Sequence, residues 1–274
     1  MKFKNVAGKN VYIVGGSEGI GLETAKILAG MGANVLLFSR NEGKLRDAVE
    51  KIKSNRVSDS QKFSYLPVDI TDNDGVISIM ETAAKDFGAV DILINSAGRA
   101  RPHPVEDIDY PQFDETIKTN LYGIRNAVAA VLPYLKGKGG MIVNVSSMVG
   151  FVGVFGYTDY AASKFGVIGF SEALKSEVKW HNIDVCVLCP PDTDTPGYAE
   201  EMKTKPPETR AISNAAKIRS ARYVAEVLVK GMKKKKFLII PGFDSKLTYY
   251  AKHLAPSLVD FLMDARIKKA RKGK

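Results

Sequence analysis

The 274-residue chain is predicted to fold as one doubly wound α/β domain, a single parallel sheet of about seven strands with helices on both faces, followed by a basic amphipathic C-terminal segment. Three observations carry that expectation. Short runs rich in Val, Ile and Leu alternate with longer amphipathic stretches through the first two-thirds of the chain, which is the pattern of strand–helix–strand units whose sheet is covered on both sides. The first apolar run leads into a glycine-rich turn and then a helix. No internal repeat or low-complexity linker divides the chain.

The strands expected are Asn10–Val14, Asn34–Phe38, Lys62–Val68, Asp91–Ile94, Met141–Val145 and Asp184–Leu188, each bounded by Gly, Asn or Asp. Helices are expected at Gly19–Met31, Glu42–Ser54, Asn73–Phe87, Pro111–Leu135 and Asp159–Trp180. In the first helix apolar residues recur at helical spacing from Leu22 to Met31, and Gly32 stops it. Residues 191–220 break the alternation with a polar segment holding four prolines. It follows the sixth strand, at the carboxyl edge where doubly wound sheets bind ligands, and is expected to be a substrate lid. Residues 1–242 are therefore expected to form the main α/β domain, and 243–274 a basic amphipathic helical appendage.

Composition narrows the function classes. With 45% hydrophobic and 26% charged residues the chain is neither disordered, collagenous nor a disulfide scaffold. No apolar run reaches the roughly 18–20 residues of a membrane span, and the N-terminus lacks an apolar stretch of signal-peptide length. Two cysteines favour a reducing compartment, the cytoplasm. Cys186 and Cys189, on one strand and without a His or Cys cluster nearby, are expected to be buried thiols, and no metal site is expected. The net charge of +10 resides in the last 45 residues, where 13 Lys/Arg face 3 Asp/Glu. Without interleaved aromatics this does not read as a nucleic-acid module. It reads as a segment that can meet an anionic membrane at its cytoplasmic face.

The turn Gly15-Gly16-Ser17-Glu18-Gly19-Ile20-Gly21 sits between strand and helix. Such a turn lets backbone N–H groups approach a pyrophosphate at the helix N-terminus. The second strand ends in Ser39-Arg40 rather than in the acid that usually holds an NAD ribose. Arg40 and Lys44 can pair with a 2′-phosphate, which points to NADPH/NADP, while Glu18 opposes it unless it pairs with one of them. Asp69 and Asn95 follow the third and fourth strands, Asp69 placed to accept from an adenine and Asn95 to tie strands together beside the cofactor. Either residue also suits a plain turn.

Tyr160 and Lys164 share a helix face at i,i+4 spacing. An ammonium near a phenol, together with an oxidised nicotinamide, favours the phenolate and lowers its pKa, as proton transfer at neutral pH requires. Ser147, thirteen residues before Tyr160, ends the fifth strand and can hydrogen-bond a substrate carbonyl; Ser146 is the alternative.

With these residues the chain resembles the short-chain dehydrogenase/reductase family over about residues 8–240, through Gly15–Gly21, Asn95–Gly98, Asn120, Ser147 and Tyr160–Lys164. The resemblance implies a Rossmann fold, a homodimer or homotetramer, Tyr160 as proton donor or acceptor, Lys164 holding the ribose and Ser147 orienting the carbonyl. It implies that Asn120 holds a water of the proton relay. It also places Ser17, Ile20 and Thr195 beside the cofactor, with Tyr160 and Lys164. Val14 stands where many members carry Thr. The segments PPDTDTPGYAEE, KTKPPETRAIS and RNEGKL look like the 3-ketodihydrosphingosine (3-oxosphinganine) reductase branch, with Glu18 where that branch has Ser and without the hydrophobic membrane segments of its eukaryotic members.

The function expected is NADPH-dependent reduction of a ketone on a long-chain amino lipid, 3-oxosphinganine, in sphingolipid biosynthesis. The alternatives are a reductase of another lipidic ketone, such as a 3-oxoacyl thioester or a steroid, and a non-catalytic NADP-binding redox sensor at a membrane. The intact Ser147–Tyr160–Lys164 set argues against the sensor. The acids Asp192, Asp194, Glu200 and Glu201 are candidates to meet a substrate ammonium. From Leu247 an apolar stripe (Leu247, Tyr250, Leu254, Leu258, Phe261, Leu262, Ala265) is interrupted by Pro256 and flanked by Lys233–Lys236 and by Arg266, Lys268, Lys269, Arg271, Lys272 and Lys274. It either enters a membrane interface or packs on protein.

Overall fold

The computed structural model describes residues 6–214 and 217–272, so Lys274 of the basic tail lies outside the described residues. Strands β1 (Asn10–Val14), β2 (Asn34–Ser39), β3 (Phe63–Pro67), β4 (Ile92–Asn95), β5 (Gly140–Val145) and β6 (Ile183–Leu188) fall on the six predicted runs. Two-residue strands β7 (Thr193–Asp194) and β8 (Arg219–Ser220) pair with each other outside the main sheet. β9 (Leu238–Ile239) completes that sheet, whose seven parallel strands run β3-β2-β1-β4-β5-β6-β9. The order reverses between β1 and β4, which opens a crevice at their carboxyl ends.

Side-chain alternation builds the two layers. Val35 and Leu37 of β2 face one core, closed by α1 (Gly19–Ala29), α2 (Glu42–Lys53) and α9 (Ala221–Lys233). Leu36 and Phe38 face the other, closed by α3 (Asn73–Asp86), α5 (Gly123–Leu135) and α6 (Thr158–Val178). The single helix expected over Pro111–Leu135 is instead α4 (Tyr110–Ile117), a π-helical turn at Lys118–Tyr122, and α5. The turn carries Asn120, whose side chain is wholly buried. π-turns of this kind are frequent at functional sites.

The proline-rich segment is more ordered than a plain loop. It forms α7 (Pro196–Thr204) and α8 (Pro207–Ser213), each opened by Pro in its first turn, where the missing N–H costs no hydrogen bond. Thr209 Oγ1 anchors it by donating to the Phe155 carbonyl at 2.7 Å. The C-terminal segment forms α10 (Phe243–Leu254) and α11 (Pro256–Lys272), with Pro256 starting the second helix rather than kinking one. These helices dock on the domain through Tyr249, Ala251, Val259 and Met263, against Phe151, Val152 and Ile240. α11 also packs on α8, where Arg271 pairs with Glu208 at 3.2 Å.

Candidate active site

The glycine turn is shaped by close backbone approach. Gly15 has φ 73°, and a Cβ there would lie 2.4 Å from the Ala97 nitrogen. A Cβ on Gly21 would lie 2.2 Å from the Gly15 carbonyl oxygen. Glu18 precedes α1 without capping it through its side chain, so the first-turn N–H groups are left for an anion. They border a cavity of about 640 Å³ lined by Gly15, Ser17, Gly19, Ile20, Arg40, Asp69 and Thr195, among others. Ser39 also lines it, and its buried Oγ has no hydrogen-bond partner among the described residues. A glycine cradle that admits no Cβ, an uncapped helix start and an orphaned hydroxyl at the end of β2 fit a dinucleotide.

The charged groups at that end divide. Arg40 reaches over the cavity and comes within 4.0 Å of Asp69. Burial alone would raise the Asp69 carboxyl; hydrogen bonds from Thr71 N and Oγ1, with the Arg40 charge, hold it below its usual range. Lys44 does not line the cavity: its ammonium pairs with Glu18 at 2.8 Å, so Lys44 neutralises the acid. Asn95 does not line it either. Its Nδ2 donates to Asn144 Oδ1 at 2.8 Å and ties β4 to β5, while its Oδ1 is buried without a partner among the described residues.

The chemical groups meet in an adjoining pocket of about 200 Å³ that contains Ser147, Tyr160 and Lys164. The two serines separate here. Ser146 Oγ donates to the Lys164 carbonyl at 2.8 Å and is spent on holding α6. Ser147 Oγ accepts from Val149 N at 3.1 Å and interacts with the Tyr160 hydroxyl, which favours the phenolate. Lys164 Nζ donates to the Val145 carbonyl at 3.0 Å and lies 5.6 Å from the Tyr160 ring centre. Burial lowers the Lys164 ammonium to about 8.

The lowering expected for Tyr160 invokes an oxidised nicotinamide together with Lys164; the protein's own groups act the other way. Burial and the nearby Glu201 charge push the phenol above its ordinary value and outweigh Ser147. Asn120 is also spoken for: Oδ1 accepts from Arg99 N at 2.9 Å, and Nδ2 donates to the Arg99 carbonyl and Ser163 Oγ at 2.9 and 3.0 Å. It clamps the loop after β4 beside Lys164, with both ends of its carboxamide in use.

Sequence reasoning named Asp192 and Glu201 but missed Tyr157 and Lys205, which bind them. The Tyr157 hydroxyl donates to Glu201, and its ring lies 5.5 Å from that of Tyr160. The side chain of Lys205, 0% exposed, pairs with Glu201 at 3.0 Å and Asp192 at 3.2 Å. Burial alone would lower the Lys205 ammonium, but the two acids raise it. The i,i+4 spacing of Glu201 and Lys205 was the available signal. Asp192 and Glu201 thus border the catalytic pocket, whereas Glu200 pairs with Lys203 on the surface and Asp194 is exposed.

A third cavity, about 360 Å³ and mostly apolar, lies between residues 148–154, the end of α8 and α10–α11. It shares Met148, Val149, Tyr157, Pro191 and Asp192 with the catalytic pocket. Cys186 and Cys189 are free and buried in different clusters, their thiols pushed up to about 12 by burial. Among the described residues no His/Cys/Asp/Glu group could hold a metal.

A short chain dehydrogenase family model matches residues 9–206. The chain belongs to the short-chain dehydrogenase family. The 3-ketodihydrosphingosine reductase of Mus musculus is 40% identical over 225 residues, covering 81% of this chain and 68% of the relative. That of Dictyostelium discoideum is 38% identical over 272 residues, covering 93% and 80%. A short-chain dehydrogenase/reductase from Burkholderia phymatum, solved in complex with NAD, superposes with a TM-score of 0.81 at 21% identity over 93% of this chain and 96% of that one, a likeness of fold. Membership makes the chain an oxidoreductase, and Ser147, Tyr160 and Lys164 line the 200 Å³ pocket beside the glycine turn's cavity.

Proposed function

We propose that this enzyme reduces the ketone of 3-oxosphinganine to the alcohol of sphinganine with NADPH, a step of sphingolipid biosynthesis. The observation that carries this reading is a pair of adjoining pockets that share Met148, Val149, Tyr157, Pro191 and Asp192 and together hold three environments. A proton donor stands at Tyr160, two acids border it at Asp192 and Glu201, and an apolar cavity leads away. A ketone, an adjacent ammonium and a long hydrocarbon chain are what those environments match. Relatives named for this activity support it.

A dinucleotide held by the glycine turn would supply the hydride that the ketone carbon takes up. Ser147 Oγ donates a hydrogen bond to the ketone oxygen and fixes the carbonyl against Tyr160. The Tyr160 hydroxyl, protonated at neutral pH as an ordinary phenol is, gives that oxygen its proton. The Lys164 ammonium then stabilises the phenolate left behind. Asp192 and Glu201 carry two negative charges against one on Lys205, and the surplus charge attracts the substrate ammonium. At the ribose, Arg40 selects the 2′-phosphate once Lys44 has neutralised Glu18.

The test is NADPH oxidation with 3-oxosphinganine, its deaminated analogue and a 3-oxoacyl thioester of equal chain length. A charge-assisted contact is worth on the order of 1.5–3 kcal/mol, so kcat/KM for the amine is expected to exceed that of the deaminated ketone by roughly 10- to 150-fold. Equal values would remove the acids from recognition. A faster thioester would transfer the enzyme to acyl reduction.

A further inference from the structure

The C-terminal helices dock on the domain with one face and turn a more apolar face outward. Phe243, Leu247, Tyr250 and Leu254 recur along α10 at 80, 59, 59 and 83% exposure. Leu258, Phe261 and Leu262 continue the stripe on α11 at 55, 68 and 47%. The packing face is a different set, Tyr249, Ala251, Val259 and Met263, and is already engaged. The outward stripe is therefore not completed by this domain, and an exposed apolar patch of this kind marks an interaction surface.

Charge selects the occupant. Residues 243–272 hold seven Lys/Arg and three Asp. Asp244 is taken by Arg219 and Asp260 by Lys252, both at 2.6 Å. Lys246, Arg266, Lys268, Lys269 and Lys272 make no ion pair among the described residues. A second copy seated face to face would set like charges against each other. Anionic lipid headgroups would neutralise them, with the stripe among acyl chains. No described helix is long and apolar enough to cross a membrane, so the fit is to a helix pair lying in the interface.

A second observation points the same way. Leu247 and Leu262 belong both to the exposed stripe and to the lining of the 360 Å³ apolar cavity. The far side of that cavity, at Met148, Val149 and Tyr157, is shared with the Tyr160 pocket. Apolar lining thus extends from the outward face of α10–α11 to residues that also border the Tyr160 pocket. We infer that this face docks on an anionic membrane surface and that the cavity beneath takes the hydrocarbon chain of the substrate directly from the bilayer. The second half of that inference rests on the proposed substrate; the docking surface does not.

The test uses the full chain and the double variant Leu254→Asp/Phe261→Asp, whose positions lie outside the cavity and the catalytic pocket. Co-sedimentation is measured with neutral phosphatidylcholine vesicles and with vesicles containing phosphatidylserine. The full chain is expected to bind the anionic vesicles and to release as salt shortens the Debye length from about 10 Å at 0.1 M to about 3 Å at 1 M. The variant, with an unchanged melting temperature, is expected to bind at least about 10²-fold more weakly, the scale of losing two buried apolar side chains. It should reduce a water-soluble short-chain amino ketone at the normal rate, and the vesicle-embedded long-chain ketone more slowly. Equal vesicle binding by both proteins overturns the proposal, as does no binding to anionic vesicles. A dimer of the full chain that the variant abolishes, without vesicle binding, assigns the face to a second copy and overturns it too. Vesicle binding lost in the variant, with no amino ketone reduced by either protein, supports the docking surface and overturns the substrate reading.

Discussion

The cofactor end of the cleft and its substrate end are built by different means. At the cofactor end the backbone sets the shape. Cβ atoms on Gly15 and Gly21 would lie 2.4 and 2.2 Å from main-chain atoms, and Asn120 and Lys164 are pinned to the Arg99 and Val145 main chain. At the substrate end side chains set the shape. An ion cluster is buried at Lys205, and an apolar cavity is walled by helices that meet the domain through apolar side chains and the Arg271–Glu208 and Arg219–Asp244 pairs. The difference teaches where each property resides. Substitutions at the first end should change turnover for every ketone, and substitutions at the second should redistribute preference among ketones.

The largest expected effect breaks the first end. Tyr160→Phe removes one hydroxyl and leaves the ring packing. Rates should fall by at least about 10²-fold with short and long ketones alike, the scale of general acid catalysis, while NADPH still binds by fluorescence titration. A loss confined to long-chain ketones would erase the distinction between the ends.

The same contrast explains what was legible in the sequence. The strands, the glycine turn and the Tyr160–Lys164 pair are local patterns, so their spacing carries them. Lys44 is expected beside the cofactor because it lies one helical turn beyond Arg40, yet it finds a nearer partner, Glu18, that only the tertiary fold supplies; Asn95 ties β4 to β5 through Asn144 as expected, without lining the cofactor cavity. The π-turn at Asn120 was hidden inside a continuous amphipathic stretch. β9 is two residues long and too short to read. The Tyr157–Glu201–Lys205–Asp192 cluster joins α6 to the lid, and no local pattern reports that contact. The C-terminal stripe was visible, but sequence left open which way it faces, and the structure turns it outward.

The next prediction sharpens the cofactor end. Arg40→Ala should weaken NADPH by roughly 10- to 150-fold, the worth of charge-assisted bonds to phosphate, and leave NADH nearly unchanged. KM values for the two cofactors check it. A wild-type preference for NADH would assign the pocket to Glu18.

A smaller effect concerns stability. Lys164 has a folded pKa of about 8 against 10.5 ordinarily, because burial disfavours its charge. Between those values the unfolded chain binds more protons, so this group adds stability as pH rises. The melting temperature of the wild type relative to Lys164→Met should therefore climb from pH 8 toward 10, by an amount on the order of a few degrees. A flat difference would show that the ammonium is not desolvated.

The most direct test of the division of labour is steady-state NADPH oxidation by the wild type with 2-amino-3-oxo lipids of increasing chain length. Each methylene buried in the apolar cavity is worth about 0.8 kcal/mol, close to fourfold in affinity. KM should fall by up to about that factor per methylene until the cavity is filled, with kcat nearly constant, because the chemistry is set at the other end. A kcat/KM independent of chain length, or a kcat that tracks it while KM stays fixed, would contradict the account.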